Sequence, residues 1–545
     1  MKKADFIIKS KNIFTGLEDE PFQGAVIVSG EEITEVIKGE LSLEEYSRDV
    51  KLIECGDKLV MPGMIDAHMH FYMGACANSQ YMNMEIDKST SEEDCIRMMK
   101  EYEAKHPDFK RLLGWGWFPV VWGTDEMPSR KSLDEAFPDK EVILYCADGH
   151  TSWLNTKGLE ACGLDENTEL EFGEVKLDEN GKPTGIVTEG ACLIAFEKMC
   201  DFPIENLREM YGDIIKDLLS QGITMVGDLT TLKLTDSYYE ILDKLTTLND
   251  EGGMNIKLNI YTSIHEFDGF ENELKLKEKY SKGNIRYAGL KHLMDGVTST
   301  YTALMLEPYE DNPDSVGDPA NFERDYYMRN VAKANEVGLP VRLHCIGDRS
   351  VRWALDSFEE ANKQNDNPGN KKGFRNAVEH IESIHPDDIP RFKELGVVAS
   401  SQPAHLTLDA NEKISRIGLE RCRWEWPHKS FLDAGATVCF GTDYPVIPFD
   451  PFENIYAAVT RKDWDRKPTG VNPEECISLS DALKCYTYAG AYSYNMDHEV
   501  GTLEAGKKAD IVILDRNLFE TAEDDIPNTK VEKTFLDGKL VYEKA

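Results

Sequence analysis

Six side chains carry most of the chemistry this chain can offer: His68, His70, Lys291, His344, His380 and Asp443. His68 and His70 stand one residue apart at the end of the apolar run Leu59-Val60-Met61-Pro62-Gly63-Met64-Ile65-Asp66-Ala67-His68-Met69-His70. Alternate side chains of a strand share a face, so both imidazoles project to one side. Two imidazoles at a strand end make half of a transition-metal site. Taken alone, the pair reads more readily as hydrogen-bonded core histidines. The other residues change that balance. His344, His380 and Asp443 also end apolar, strand-like runs, and Lys291 lies inside one. Four of only 12 histidines fall at such ends, an arrangement that points to a metal centre rather than to scattered core positions.

The elements that position these residues repeat along the chain. Apolar runs at 64–70, 223–228, 256–261, 287–294, 340–344, 376–380, 397–402 and 437–443 read as strands. Helical patterns separate most of them, for example at 205–220, 323–337 and 349–362. Such alternation predicts the α/β class with a parallel sheet. Eight strands predict a closed (β/α)8 barrel, whose chemistry lies at the strand C-termini. Residues 71–222 separate the first two strands, far more than a crossover needs. The stretch from about 75 to 200 therefore reads as a large insertion after strand 1. It has a helix at 91–105 and strands at 111–117 and 141–147, and its exit from the chemical face suggests a lid. Both chain ends are rich in short strand-like runs, with Asp537-Gly538 as a hairpin turn, and predict a small sheet built from the two termini together.

Composition narrows the function. The chain has 545 residues, with 61 basic against 99 acidic, a net charge of −38. Nucleic acids and anionic membranes need clustered Lys and Arg, so neither is expected as a partner. No apolar run is long enough to span a bilayer, and no signal-peptide pattern opens the sequence. The 12 cysteines are scattered without a CxxC pair, which fits a reducing, cytoplasmic setting. A small-molecule substrate is expected, and a homo-oligomer is compatible with the sequence.

The order His-x-His, Lys, His, His, Asp over eight strands resembles the amidohydrolase superfamily of metal-dependent hydrolases. Further motifs resemble its YtcJ-like branch, which includes N-substituted formamide deformylases. They are Pro62-Gly63-Met64-Ile65-Asp66-Ala67-His68, Asp148-Gly149-His150-Thr151-Ser152-Trp153, Met294-Asp295-Gly296, Leu306-Glu307-Pro308-Tyr309, His344-Cys345-Ile346-Gly347-Asp348-Arg349, Val378-Glu379-His380, Gln402-Pro403 and Gly441-Thr442-Asp443-Tyr444-Pro445-Val446. The resemblance implies a distorted (β/α)8 TIM barrel beside a composite β-sandwich. Residues 1–61 and 491–545 would make the sandwich, and 62–490 the barrel with its insertion. It also implies a divalent metal, zinc by default, as one or two ions. His68, His70 and Asp443 would hold the first ion and His344 and His380 a second, with a carboxylated Lys291 bridging them. An unmodified Lys291 paired with Asp295 or another carboxylate is the alternative.

The implied reaction uses a metal-activated hydroxide to hydrolyse an amide-type C–N bond of an N-acyl, formamide or peptide-like compound. Asp443 would shuttle the proton, and His150 would bind the scissile carbonyl or oxyanion. Trp117, Phe118 and Trp122 would wall an apolar pocket, and Arg349 would hold a substrate carboxylate. Two other functions compete. A heterocycle deaminase usually has a Glu just after the strand-5 histidine, where Cys345-Ile346-Gly347 stands here. A catalytically silent scaffold or regulatory member would show an eroded ligand set, and all six positions are chemically competent.

Overall fold

The computed structural model describes residues 3–46, 50–124, 126–170, 173–199, 201–229, 236–264, 270–317 and 324–545. It divides into two compact units, one of Met1–Phe71, Ile215–Thr231 and Met254–Ala545, the other of Tyr72–Ile214 and Leu232–Gly253. Residue 323, the first of the expected 323–337 helix, lies outside the described residues, and that helix runs Arg324–Glu336.

In the first unit eight strands form one sheet in sequence order. They are β1 (Met64–Met69), β2 (Ile223–Asp228), β3 (Lys257–Ser263), β4 (Ile285–Leu293), β5 (Val341–Cys345), β6 (Ala377–His380), β7 (Val398–Ser401) and β8 (Thr437–Phe440). Every hydrogen-bonded neighbour is parallel. Most of these strands are buried at every position, which is why their sequences are apolar runs rather than alternations. The crossover helix Asp348–Gln364 buries Val351, Ala354, Leu355, Phe358 and Ala361, the three-and-four spacing of an amphipathic face.

The ring is completed beyond the strand ends. Thr442 and Asp443 donate their N–H groups to the His68 carbonyl at 3.1 and 2.7 Å, and His70 donates to the Tyr444 carbonyl at 2.9 Å. The expected eighth strand, 437–443, is shorter than its apolar pattern. It stops at Phe440, and Asp443 has a φ of +59°, a left-handed conformation that no strand accommodates.

The two chain ends build one seven-stranded sheet. Its order is Lys539–Glu543, Val531–Leu536, Ile511–Leu514, Lys51–Pro62, Phe6–Ile13, Phe22–Ser29, Glu32–Lys38. Two strands lie between those of Phe6 and Phe535, which in a flat sheet stand about 14 Å apart at the usual strand spacing. Their ring centroids are nevertheless 5.1 Å apart. The sandwich is thus a single sheet curled on itself around Ile8, Val26, Ile511 and Phe535. Lys257 at the start of β3 ties this sheet to the barrel through Asp510, at 2.7 Å, and Asp537, at 2.8 Å.

The second unit has a six-stranded sheet ordered Val175–Leu177, Pro183–Thr188, Thr151–Leu154, Glu141–Cys146, Arg111–Trp117, Met82–Asn83. The helix Glu92–Lys105 is capped by Ser91, whose hydroxyl accepts the Asp94 N–H at 3.1 Å. Among the described residues no helix is long and apolar enough to cross a membrane.

Candidate metal centre

At the C-terminal end of the barrel, β1 delivers His68 and, one residue beyond its end, His70. Both reach one atom. Asp443 Oδ1 lies 3.1 Å from His68 Nε2 and 3.0 Å from His70 Nε2. His380, the last residue of β6, brings Nδ1 to 3.8 Å from Asp443 Oδ2. Donor atoms of His68, His380 and Asp443 all fall within 4.8 Å of one another. His344, at the end of β5, packs its ring 4.4 Å from that of His380, centroid to centroid. Lys291 is buried on β4.

The unsatisfied polar atoms of this cluster suit a cation. His68 Nε2, His70 Nδ1 and Asp443 Oδ1 are buried and have no hydrogen-bond partner among the described residues. Native proteins rarely leave such atoms unsatisfied without an ion or water to complete them. Burial alone would raise the Asp443 carboxyl, but His68, His70 and His380 hold it well below the usual carboxylate range. Burial and Lys291 disfavour a charged His68, yet Asp443 and Glu379 outweigh them, and its affinity for a proton rises. The position therefore favours positive charge. His380 is driven well below its ordinary value by burial and then by His344 and His68, and stays neutral with a lone pair to give. Burial lowers the Lys291 amine to about 8.

Backbone geometry aims these groups. His380 and Asp443 both have left-handed φ values, +70° and +59°, strain that costs about 1–3 kcal/mol per residue and collects at functional sites. Asp66 clips β1 to the β8 end: its carboxylate accepts N–H groups from His68 at 3.1 Å and Thr442 at 3.0 Å, and the Thr442 hydroxyl at 2.5 Å. Burial raises the Asp66 carboxyl to about 6. Asp295 ties the β4 and β5 loops together, accepting from the N–H groups of Leu304, Ile346 and Gly347 and from the Ser350 hydroxyl. The same carboxylate also lies 3.9 Å from His344 Nε2 through its Oδ1.

Several neighbours have roles that strand alternation does not reveal. Glu379 Oε2 meets His68 Nδ1 at 2.6 Å, fixing the ring so that Nε2 faces Asp443. A regular strand would send Glu379 and His380 to opposite faces; the φ of +70° at His380 lets both serve one centre. Gln402 Oε1 meets His380 Nδ1 at 2.9 Å. His405, in the turn after β7, points Nε2 at Asp443 Oδ2 across 3.8 Å. Glu382 lies 3.6 Å from its Nδ1 and is itself paired with the buried Lys413. The motif Gln402-Pro403-Ala404-His405 at a barrel strand end is the signal that would have found this histidine.

Of the other expected residues, Arg349 belongs to the first unit and His150, Trp117, Phe118 and Trp122 to the second. Arg349 directs its guanidinium to the Leu306 carbonyl at 3.4 Å, while Asp348 accepts the Leu306 N–H at 2.8 Å. In the second unit His150 Nδ1 meets Glu189 Oε2 at 2.7 Å. Trp117, Phe118 and Trp122 join that unit's apolar core. The Trp117 indole N–H is used by the Leu144 carbonyl at 2.7 Å, and that of Trp122 by the Ser89 carbonyl at 3.1 Å.

Comparison with known proteins agrees with this geometry. The chain is 29% identical over 99% of its length, and 92% of the relative's, to the protein LONG AFTER FAR-RED 3 of Arabidopsis thaliana. It is 24% identical over 99% of its length, and 98% of the relative's, to an N-substituted formamide deformylase of Arthrobacter pascens. A solved structure of an uncharacterized metal-dependent hydrolase from Pyrococcus horikoshii superposes with a TM-score of 0.76 at 26% identity, covering 95% of this chain and 99% of that one. A family model described as amidohydrolase family matches residues 51–542. A match of that extent, over a barrel with these histidines and Asp443 at its strand ends, shows that the chain belongs to the amidohydrolase family.

Proposed function

We propose that this protein is a metal-dependent hydrolase of an amide-type C–N bond in a small molecule, with N-acyl, formamide and peptide-like compounds as the substrate class. One observation carries the reading: a buried, ionised Asp443 whose Oδ1 meets two imidazole nitrogens at 3.0–3.1 Å, with no hydrogen bond to either. His68, His70 and Asp443 would hold one ion, and His344, His380 and a carboxylated Lys291 would complete a second position. Imidazole and carboxylate donors suit zinc, with iron or manganese acceptable. When bound, the metal supplies hydroxide at neutral pH and polarises the scissile carbonyl.

The chain's own residues do the rest. Asp443 accepts the proton of the attacking group and returns it to the departing amine. Its Oδ2 lies 3.8 Å from both His380 Nδ1 and His405 Nε2. His380 stays a neutral donor held by Gln402, and His68, where positive charge is favoured, is held by Glu379. The name of the deformylase relative puts formamides first among the substrates to try.

The test is an amine-release assay across N-formyl, N-acetyl, N-aminoacyl and lactam compounds, with ammonia release from heterocyclic amines run beside it. Turnover in the first panel is the expected result. Release of ammonia alone would replace this reading with a deaminase, and no turnover in either panel by fully metal-loaded protein would favour a non-catalytic member. Lys291 makes a second prediction, because a neutral lysine reacts with carbon dioxide to give a carbamate. Protein reconstituted with metal in carbon dioxide-free buffer is expected to load less metal than protein given bicarbonate. Equal loading would leave Lys291 an unmodified amine.

A further inference from the structure

Arg342 is an unusual residue for a barrel interior. It lies two residues before His344 on β5, on the same face and one layer deeper, and its side chain is fully buried. Its Nη1 donates to Glu379 Oε1 at 2.9 Å and to the Ala67 carbonyl at 3.0 Å. Glu379 holds His68 Nδ1 through its other oxygen, at 2.6 Å. On the far side the guanidinium stacks on Tyr494, 4.5 Å from the ring centroid, and on Tyr261 at 5.4 Å. Its Nε and Nη2 have no hydrogen-bond partner among the described residues, so these aromatic faces are what they meet.

Tyr494 comes from the segment after the helix Tyr488–Ser493. Its hydroxyl donates to the same Ala67 carbonyl at 2.6 Å. Room for it is made by Gly227 on β2, where a Cβ would fall 1.6 Å from the Tyr494 hydroxyl. A continuous line of contacts thus runs from Tyr494 through Arg342 and Glu379 to His68. Every member is buried.

We propose that Arg342 is a positioning residue of the metal centre: braced by Tyr494, it holds the Glu379 carboxylate in the one place from which that carboxylate can orient His68 toward the ion. The inference rests on the metal reading given above. Arg342 does not touch the reacting atoms. It acts by fixing Glu379, which without a cationic partner would be an unmatched charge in a dry interior, and by holding the Ala67 carbonyl immediately before His68.

A double-mutant cycle on the full-length protein tests this. Zinc affinity is measured by competition with a chromogenic chelator, and ligand geometry by the electronic spectrum of the cobalt(II)-loaded protein. Thermal unfolding of the metal-free form reports fold separately. Glu379→Gln and Arg342→Met are each expected to weaken zinc binding about 10–100-fold, the usual effect of losing a group that orients a ligand, and to shift the cobalt spectrum. If Arg342 acts through Glu379, the double variant binds zinc no more weakly than the weaker single variant. Losses that multiply would overturn the proposal, as would an Arg342→Met protein with wild-type affinity and spectrum and only a lowered melting temperature. Should Arg342→Met fail to fold, the double variant, which buries no unmatched charge, carries the comparison. Affinity matching Glu379→Gln supports the proposal, and wild-type affinity overturns it. Wild-type protein that binds no metal would instead remove the metal reading itself, a different failure read from a different sample.

Discussion

Asp443→Asn is expected to keep the fold and lower kcat about 10²–10⁴-fold at saturating metal, the contribution of a positioned general acid/base. Asparagine has nearly the same shape and tolerates the left-handed φ of +59° that this position requires. The backbone N–H of residue 443 keeps its bond to the His68 carbonyl. What is lost is the charge and the basic oxygen that faces His405 across 3.8 Å. Metal affinity also falls, because a neutral amide is a poorer ligand, so turnover has to be read with the ion in excess. Unchanged kcat under those conditions would move the proton shuttle to another residue, with His405, whose Nε2 faces Asp443 Oδ2, the candidate to replace next.

The second large effect is expected from one methyl group. In Gly441→Ala the new Cβ would stand 2.4 Å from the His68 backbone nitrogen and 2.7 Å from the His68 Cβ. Neither atom belongs to a flexible side chain that can swing away. The β8 end must therefore withdraw from β1, at the place where Asp66 clips Thr442 to His68. Overpacking of this kind costs about 1–3 kcal/mol, and here it also parts two groups that share the centre, His68 and Asp443. A lowered melting temperature, with metal content falling well below that of the wild type, is the expected result. Gly441→Ala protein that retains full metal and activity would show that the two strand ends need not meet so closely.

Much of this was legible in the sequence, for a physical reason. Parallel strands buried on both faces are apolar runs, so the eight barrel strands stand out by composition. A barrel concentrates chemistry at strand ends, so histidines that close an apolar run stand apart from histidines elsewhere in the chain. The hairpin at Asp537-Gly538 was legible too, since its turn needs the positive φ values of +47° and +73° found there.

What sequence reasoning missed depends on departures from regular geometry. Glu379 was not singled out, because strand alternation places it opposite His380 and cannot foresee a left-handed residue at the strand end. The eighth strand looked longer than it is for the same reason at Asp443. Arg342 gave no sign of its place because a buried arginine is defined by its partners, Glu379 on β6 and Tyr494 far along the chain, and not by its neighbours in sequence. An aromatic run such as Trp115-Gly116-Trp117-Phe118 is more often core than pocket wall, and Trp117, Phe118 and Trp122 pack in the second unit's apolar core, with the Trp117 indole bonded to the Leu144 carbonyl.

A metal ion is expected to complete the unsatisfied atoms of His68, His70 and Asp443. Elemental analysis of the purified protein, combined with amine-release activity before chelation, after chelation and after metal is returned, tests it most directly. One to two equivalents of a transition metal per chain are expected, with loss of turnover when the metal is removed and recovery when zinc or the native ion is restored. Full turnover by metal-free protein would contradict it.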